Sequence, residues 1–470
     1  MKTPPSFTRR DLLRSAAALG LTVPVLGGCA TGGGSGKTPK AAHGAVSKQN
    51  PLGVPAGSPL EVVIFKGGYG DAYAKSAEAV YAKRYPHAKI THQGIQAVGD
   101  ALRPRFVANT PPDVVDNSGD GRLDIATLVA AKEVTDLAPL LDAPSWDTPG
   151  RTVRQTLLPG VVDDGSFDGT CLRLNYTYVA YGIWYSKPLF TRKGWTYPTT
   201  WDEMLALCEE IKTSGIAPWT YQGKYPEYMS DPLLTMAAKI GGEELMKSVD
   251  NLEPNAWRAD AMKNAAADFA ELAAKGYIMS GSEALSHTEA QAAWCQGKAA
   301  FIPCGSWLES EQQGVTPAGF DMVVGPIPSH SASDKLGPKS LEASSSESFI
   351  VPARAGNVAG GLEYLRILFS VEQSKAFAKS AGTMPAVAGA TDGLTMSSAL
   401  ASASAAVAAA GQERIDYKSR GWYDDLTTAT DTATGELINK RISPDQWCDR
   451  IQKAADAVAR DSSVKKYRRT

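Results

Sequence analysis

Seventeen tyrosines and ten tryptophans are the largest chemical resource of this 470-residue chain. Several stand beside glycine or just past an apolar run of strand length. Tyr69 lies in Gly67-Gly68-Tyr69-Gly70, Tyr225 and Tyr228 follow Ala217–Tyr221, Trp307 follows Ala299–Pro303, and Trp422 and Tyr423 follow Gly421. An aromatic plane held at the end of an element offers a face to the C–H side of a sugar ring, whose hydroxyls then require donors and acceptors. Glu309, Glu347, Asp424 and Asp425 stand in loop-like, aromatic surroundings and could accept those hydroxyls. Two of them facing each other across a cleft would instead be the acid and base of a glycosidase, and each taken alone could be a solvated surface carboxylate. Each aromatic could likewise be core. Trp184, Tyr185 and Trp201 lie inside elements and read that way.

Other chemistry finds little support. The five histidines, His43, His87, His92, His287 and His330, form no HExxH and no pair at helical ligand spacing. There is no GxSxG nucleophile elbow. Gly34-Ser35-Gly36-Lys37-Thr38 resembles the end of a P-loop but lacks its first glycine and stands outside any strand–helix unit. No metal and no cofactor are expected. Beyond Cys29 the cysteines are Cys171, Cys208, Cys295, Cys304 and Cys448, none at CxxC spacing. Their number is odd, so at least one thiol is unpaired within the chain, and the sequence leaves the pairing open.

The elements that must position these residues begin after an address. Arg9-Arg10 followed by Leu12-Leu13, an apolar stretch of Ser15–Leu26, and Leu26-Gly27-Gly28-Cys29 make an export signal over 1–28. The arginine pair resembles a twin-arginine signal, with an ordinary secretory signal as the alternative. The last four residues resemble a bacterial lipobox, in which Cys29 is lipidated. Residues 29–58, rich in Gly, Ser, Thr, Lys and Pro, read as a flexible tether. Lys+Arg at 48 against Asp+Glu at 50 shows no basic excess for a nucleic-acid partner. No later apolar run reaches the ~18–20 residues that span a bilayer.

From Pro59 onward strands and helices alternate. Leu60–Phe65, Lys89–Ile95 and Pro112–Asn117 read as strands separated by helices over Ala72–Arg84 and from Asp100 to Asn109, a βαβαβ order that predicts a parallel, doubly wound sheet. Ligands of such sheets lie on loops beyond the strand ends, here 67–70 and 117–121. Further strands are expected in Thr170–Ser186 and at Ala217–Tyr221, Ala299–Pro303, Met322–Ile327 and Ser348–Val351. Thr199 or Thr200 with Glu203 predicts a capping box for a helix to Lys212. The chain past Val358 reads as mostly helical.

Several segments, in order, resemble the extracellular solute-binding proteins of sugar ABC importers. They are Pro112-Asp-Val-Val115, Tyr181-Gly-Ile-Trp-Tyr-Ser-Lys-Pro-Leu-Phe190, Gly194-Trp195, Pro198-Thr-Thr-Trp-Asp-Glu203, Gly297–Trp307, Gly325-Pro-Ile-Pro328 and Gly382-Thr-Met-Pro385. Ile64–Asp71 and Asn50-Pro-Leu-Gly53 resemble the branch that binds N-acetylglucosamine and N,N′-diacetylchitobiose. The resemblance implies two α/β lobes, 59–185 with 325–395 and 186–324 with 396–470, joined by a hinge around a central cleft. It implies a lipid-anchored monomer on the outer face of the membrane that hands a sugar to permease subunits and breaks no bond. Carried onto this chain, the first lobe's side of the cleft is Gly68, Tyr69, Asn117, Ser118 and Asp120, with Ser345 and Glu347. The second lobe supplies Tyr225, Tyr228, Trp307, Glu309, Trp422 and Tyr423. A binding protein for another oligosaccharide, such as a neutral disaccharide, and a secreted glycoside hydrolase are the competing readings.

Overall fold

The computed structural model describes residues 44–119, 121–411 and 413–469. The signal expected over 1–28, Cys29 and the tether as far as residue 43 lie outside the described residues. Twelve strands occur among the described residues: β1 (Leu60–Phe65), β2 (Ile90–Ile95), β3 (Val114–Asp116), β4 (Ser166–Phe167), β5 (Thr170–Cys171), β6 (Leu174–Ser186), β7 (Ala217–Trp219), β8 (Ala299–Gly305), β9 (Met322–Gly325), β10 (Leu341–Ile350), β11 (Met384–Pro385) and β12 (Arg414–Ile415). Ten of them make one sheet with the central order β2-β1-β3-β10-β6-β8-β7.

Apolar residues on successive strand positions enter opposite cores. Val62 and Ile64 pack on one face of the sheet and Val63 on the other, and Trp184 and Ile183 divide in the same way. Side chains alternate faces along a strand, so a run that is apolar throughout must be covered on both sides. Helices provide the cover. Residues 201–213 begin with the expected capping box of Thr200 and Glu203. Helix 444–460 starts with a second, formed by Ser443 and Gln446. The helix expected from Asp100 starts two residues earlier, at Val98, with Ala97 as its cap.

The first three strands are parallel, as the βαβαβ order requires. The sheet as a whole is not: β10 runs antiparallel to both β3 and β6, so the architecture is a mixed α/β sheet. The sequence reading finds only the end of β10. Residues 341–348 read Leu-Glu-Ala-Ser-Ser-Ser-Glu-Ser, too polar for a strand buried on two faces. Their burial alternates from one position to the next, because one face packs on a core and the other looks into open space.

Strand β6 carries the fold from one half to the other. Its first residues pair with β10 and β11, and its last with β8 and β9. Tyr181 is the changeover, paired with Glu342 on one side and Gly305 on the other. The next residue is glycine for a steric reason: a Cβ at Gly182 would stand 2.5 Å from the Gly325 carbonyl oxygen. This two-lobe arrangement sits on a continuous sheet.

Residues 44–58 are not free tether. Asn50 donates its amide to the Ala45 and Val54 carbonyls and accepts from the Val54 amide at 2.8 Å and from Tyr85 Oη at 3.2 Å. Val54 is buried in the same core as Leu60. The turn polarity that mimics a linker is here spent on closing a loop. Cys171, Cys208, Cys295, Cys304 and Cys448, whose pairing the sequence leaves open, are all unpaired and buried.

Gly182→Ala is expected to lower the melting temperature, with a loss of about 1–3 kcal/mol typical of overpacking, because the nearest atom it meets is the Gly325 carbonyl oxygen, with a Val324 methyl close behind. Thermal denaturation followed by circular dichroism measures it.

Candidate ligand cleft

A cavity of about 990 Å³ opens where β6 changes partners. Its first wall is the loop after β1. The Phe65 ring lies between two glycines; a Cβ at Gly67 or at Gly119 would come within 2.3 Å of it. Gly119 also has φ of 77°, open to glycine at no steric cost. With Phe65 held in this way the chain turns and presents Gly68 and Tyr69 to the cavity. Tyr69 is braced edge-on against Phe377 at 5.4 Å. Its phenol stands 3.5 Å from Thr383 Oγ1, and burial, helped by the nearby Glu347, pushes it above its ordinary range.

The opposite wall is aromatic. Gly305 ends β8, and a Cβ there would be 2.2 Å from the Trp307 ring, so the indole folds back over the strand end. Trp307 is met edge-on by Tyr181 at 5.3 Å and by Tyr228 at 6.3 Å. Tyr225 packs edge-on with His287 at 5.3 Å. Trp422 leans on Tyr467 at 5.6 Å, with Gly421 beside the Arg173 guanidinium. Edge-on bracing suits aromatic quadrupoles and fixes the planes of Trp307 and Tyr225, whereas Trp422 lies tilted by 35° to Tyr467.

The floor is the open face of β10, with Glu342, Ser344 and Ser346. Ser345 is buried at the edge of the cavity and tied to Asp164, which also lines it, donating from N and Oγ at 2.8 Å each. Burial alone would raise Asp164, but Lys418 at 2.8 Å and Arg414 at 3.1 Å hold it below the usual carboxylate range. Asp231 shares Arg420 with Asp431, at 3.0 and 3.2 Å. Burial pushes Asp231 up to about 6. Burial and the neighbouring Asp231 raise Glu342 well above its ordinary value, and Glu342 accepts from Thr235 Oγ1 at 2.7 Å. Glu311 accepts from Gln291 at 2.6 Å, and His287 Nε2 lies 3.7 Å from it.

Eight of the expected residues meet here: Gly68, Tyr69, Tyr225, Tyr228, Trp307, Ser345, Glu347 and Trp422. Four do not. Asn117 spends its amide on Leu123, donating to the carbonyl and accepting from the backbone N–H. Ser118 donates to Asp116 and accepts from Ser348 N, so both shape the loop from behind. Glu309 faces a second cavity and accepts from Ser397 Oγ at 2.6 Å. It is two residues from Trp307 on a short helix, which turns it to another side. Tyr423 is core, its hydroxyl paired with the backbone of Tyr467. Asp120 lies outside the described residues.

Sequence reasoning misses Tyr181, Asp231, Glu342, Arg420, Arg173 and Ser344. They are single residues on strands, helices and the short connection before β6, brought together only by the fold. Tyr181 carried a usable signal, a tyrosine next to glycine at the end of a long extended run.

The model of bacterial extracellular solute-binding protein matches residues 66–375. The chain is 32% identical to the diacetylchitobiose binding protein NgcE of Streptomyces coelicolor, over 98% of each chain. Among solved structures, a chitin oligosaccharide binding protein superposes with a TM-score of 0.64 at 19% identity, over 82% of this chain and 93% of that one. The apo form of RafE from Streptococcus pneumoniae gives 0.69 at 17% identity, over 86% and 98%.

Glu347 and Asp116 form a buried carboxyl pair in the cavity wall. Glu347 has φ of 57°, a left-handed backbone that costs a non-glycine residue of order 1 kcal/mol. It interrupts the ladder between the pairs Ser346–Thr177 and Ser348–Asn175. Burial, then the Asp116 charge, raises Glu347 well above the carboxylate range, and it donates to Asp116. Asp116 also accepts from Tyr73 Oη at 2.9 Å and Ser118 Oγ at 2.6 Å, and burial pushes it up to about 7. Both carboxyls hold protons in the folded chain that the unfolded chain releases near pH 4. Their contribution is therefore fully present below about pH 4 and is lost as pH rises towards 7. Glu347→Gln keeps the donor and removes one ionisable group. Relative to the native protein its melting temperature should gain more at pH 7 than at pH 4.5, as read from paired pH series.

Proposed function

Because this chain belongs to the bacterial extracellular solute-binding protein family, we propose that it captures an amino sugar or short oligosaccharide and delivers it to an ABC permease. N-acetylglucosamine and N,N′-diacetylchitobiose are the favoured ligands. The observation that carries the reading is the pairing of edge-braced aromatic planes with a serine-lined floor in one cavity of about 990 Å³. Aromatic planes take the C–H faces of pyranose rings, and serine and carboxyl groups take the hydroxyls. That volume lies within the ~300–1,000 Å³ common for ligand sites. The relative similar over nearly its whole length is a diacetylchitobiose binding protein, which favours that sugar over a neutral disaccharide.

In this reading the lobes, 59–185 with 325–395 and 186–324 with 396–470, close over the sugar by bending near Tyr181. The sugar leaves chemically unchanged. Trp307 and Tyr228 from one side and Tyr69 from the other stack on it. Cys29 is lipidated and holds the monomeric protein to the outer face of the membrane. Two acyl chains on one residue pass the threshold at which a single chain gives only marginal anchoring.

Titration calorimetry with N-acetylglucosamine, chitobiose and maltose tests the sugar. Chitobiose should bind and be recovered intact, and Trp307→Ala should weaken it by at least about tenfold, or about 1.4 kcal/mol. No binding by any amino sugar would overturn the reading.

Cys29→Ser, expressed in a bacterial host, should shift the protein from the membrane fraction to the medium. Chitobiose affinity in vitro should be unchanged. Retention in the membrane would point to another anchor.

A further inference from the structure

The cavity is longer than a disaccharide needs. It follows β10 from Glu342 to Glu347, five residue steps or ~17 Å at ~3.3–3.4 Å per strand residue. Aromatic planes stand towards both ends of this floor. Trp307 is braced by Tyr181, which pairs with Glu342 in the sheet. Trp422 is braced by Tyr467 and adjoins the Arg173 guanidinium. Arg173 precedes β6, and Leu174, the first residue of β6, pairs with Phe349, beyond the other end of the floor. Between the planes the floor offers Ser344 and Ser346, two small hydroxyl side chains on alternate positions of one strand face. Small groups leave room above the strand, and hydroxyls both donate and accept. Arg173 donates from Nε and one terminal nitrogen to the Asp164 carbonyl, two of the five N–H groups that a guanidinium carries.

We infer that the cleft is a multi-ring site: an oligosaccharide of at least three pyranose units lies along β10, its first ring on Trp307, its middle rings over Ser344 and Ser346, and its last ring against Trp422 beside Arg173. This rests on the sugar-binding reading above and adds ring number and direction to it. Chitobiose then fills only part of the site. Each further ring that reaches a platform lowers the dissociation constant until Trp422 is covered.

Calorimetric titration of the full exported chain with N-acetylglucosamine oligomers of two, three, four and five units reads this directly. The three- or four-unit oligomer should bind about tenfold tighter than chitobiose, equivalent to about 1.4 kcal/mol, and the gain should stop by the fifth unit. Trp422→Leu should bring the ratio of the two affinities close to one. Arg173→Gln should reduce the same ratio, which keeps the test valid if the tryptophan variant folds poorly. Equal affinity across the series, or an undiminished ratio in both variants, overturns the multi-ring site while leaving chitobiose capture standing. No binding by any oligomer overturns the sugar-binding reading, and the multi-ring site with it.

Discussion

The structure depends on one strand having two sets of hydrogen-bonding partners. β6 pairs with β10 and β11 through its first half and with β8 and β9 through its second. Backbone groups buried in a sheet must be paired, so neither half of the molecule can leave the other without breaking a ladder at Tyr181. The changeover leaves room for neither bulk nor slippage. Gly182 lies against the backbone of β9, and Trp184, two residues on, is fully buried. A junction made of strand rather than loop holds the two sides in fixed register, because the pairing of each β6 residue sets the position of its partners on both sides.

The cleft also shows how a protein keeps many carboxyl groups in one cavity. Each is handled differently. Asp164 is surrounded by Lys418, Arg414 and the Ser345 amide, and stays ionised. Asp231 and Glu342 are buried near a single arginine, which cannot neutralise both at low cost. Asp116 and Glu347 are both raised by burial and joined by a hydrogen bond that Glu347 donates. A buried unpaired charge is expensive, whereas a protonated carboxyl or an ion pair with satisfied hydrogen bonds is tolerated. The result is a wall rich in acceptors and donors with little net field, suited to a neutral, polyhydroxylated ligand.

Local signals in the sequence reached most elements but only part of the site. Thr200 and Glu203 specify a helix start through contacts within four residues, and that start is where the sequence places it. Trp307 and Tyr69 were legible because each follows a strand at a glycine turn. Glu342 and Ser344 were not, because a half-open strand with serine on both faces has no apolar pattern to read. Asp231 and Arg420 lie far apart in the chain, on two helices, and form their contact only in the folded chain. Tyr423 and Glu309 show the opposite failure. The chain neighbourhood was right, but a helical turn sends adjacent side chains in different directions. Asn50 shows a third, since its turn chemistry is common to linkers and to closed loops.

The five buried cysteines have a consequence for how the protein ages. Burial pushes each thiol up, to about 12 at Cys171 and Cys208, so the reactive thiolate is scarce in the native fold. Oxidants and alkylating reagents reach these sulfurs chiefly through opened states. Native chains are then chemically quiet, whereas any excursion that bares a core exposes thiols able to cross-link with one another or with a second chain. Each such event removes a molecule from the pool that can refold. The working lifetime outside the cell is thus governed by how often the cores open, and thiol labelling is a clock for those openings, core by core.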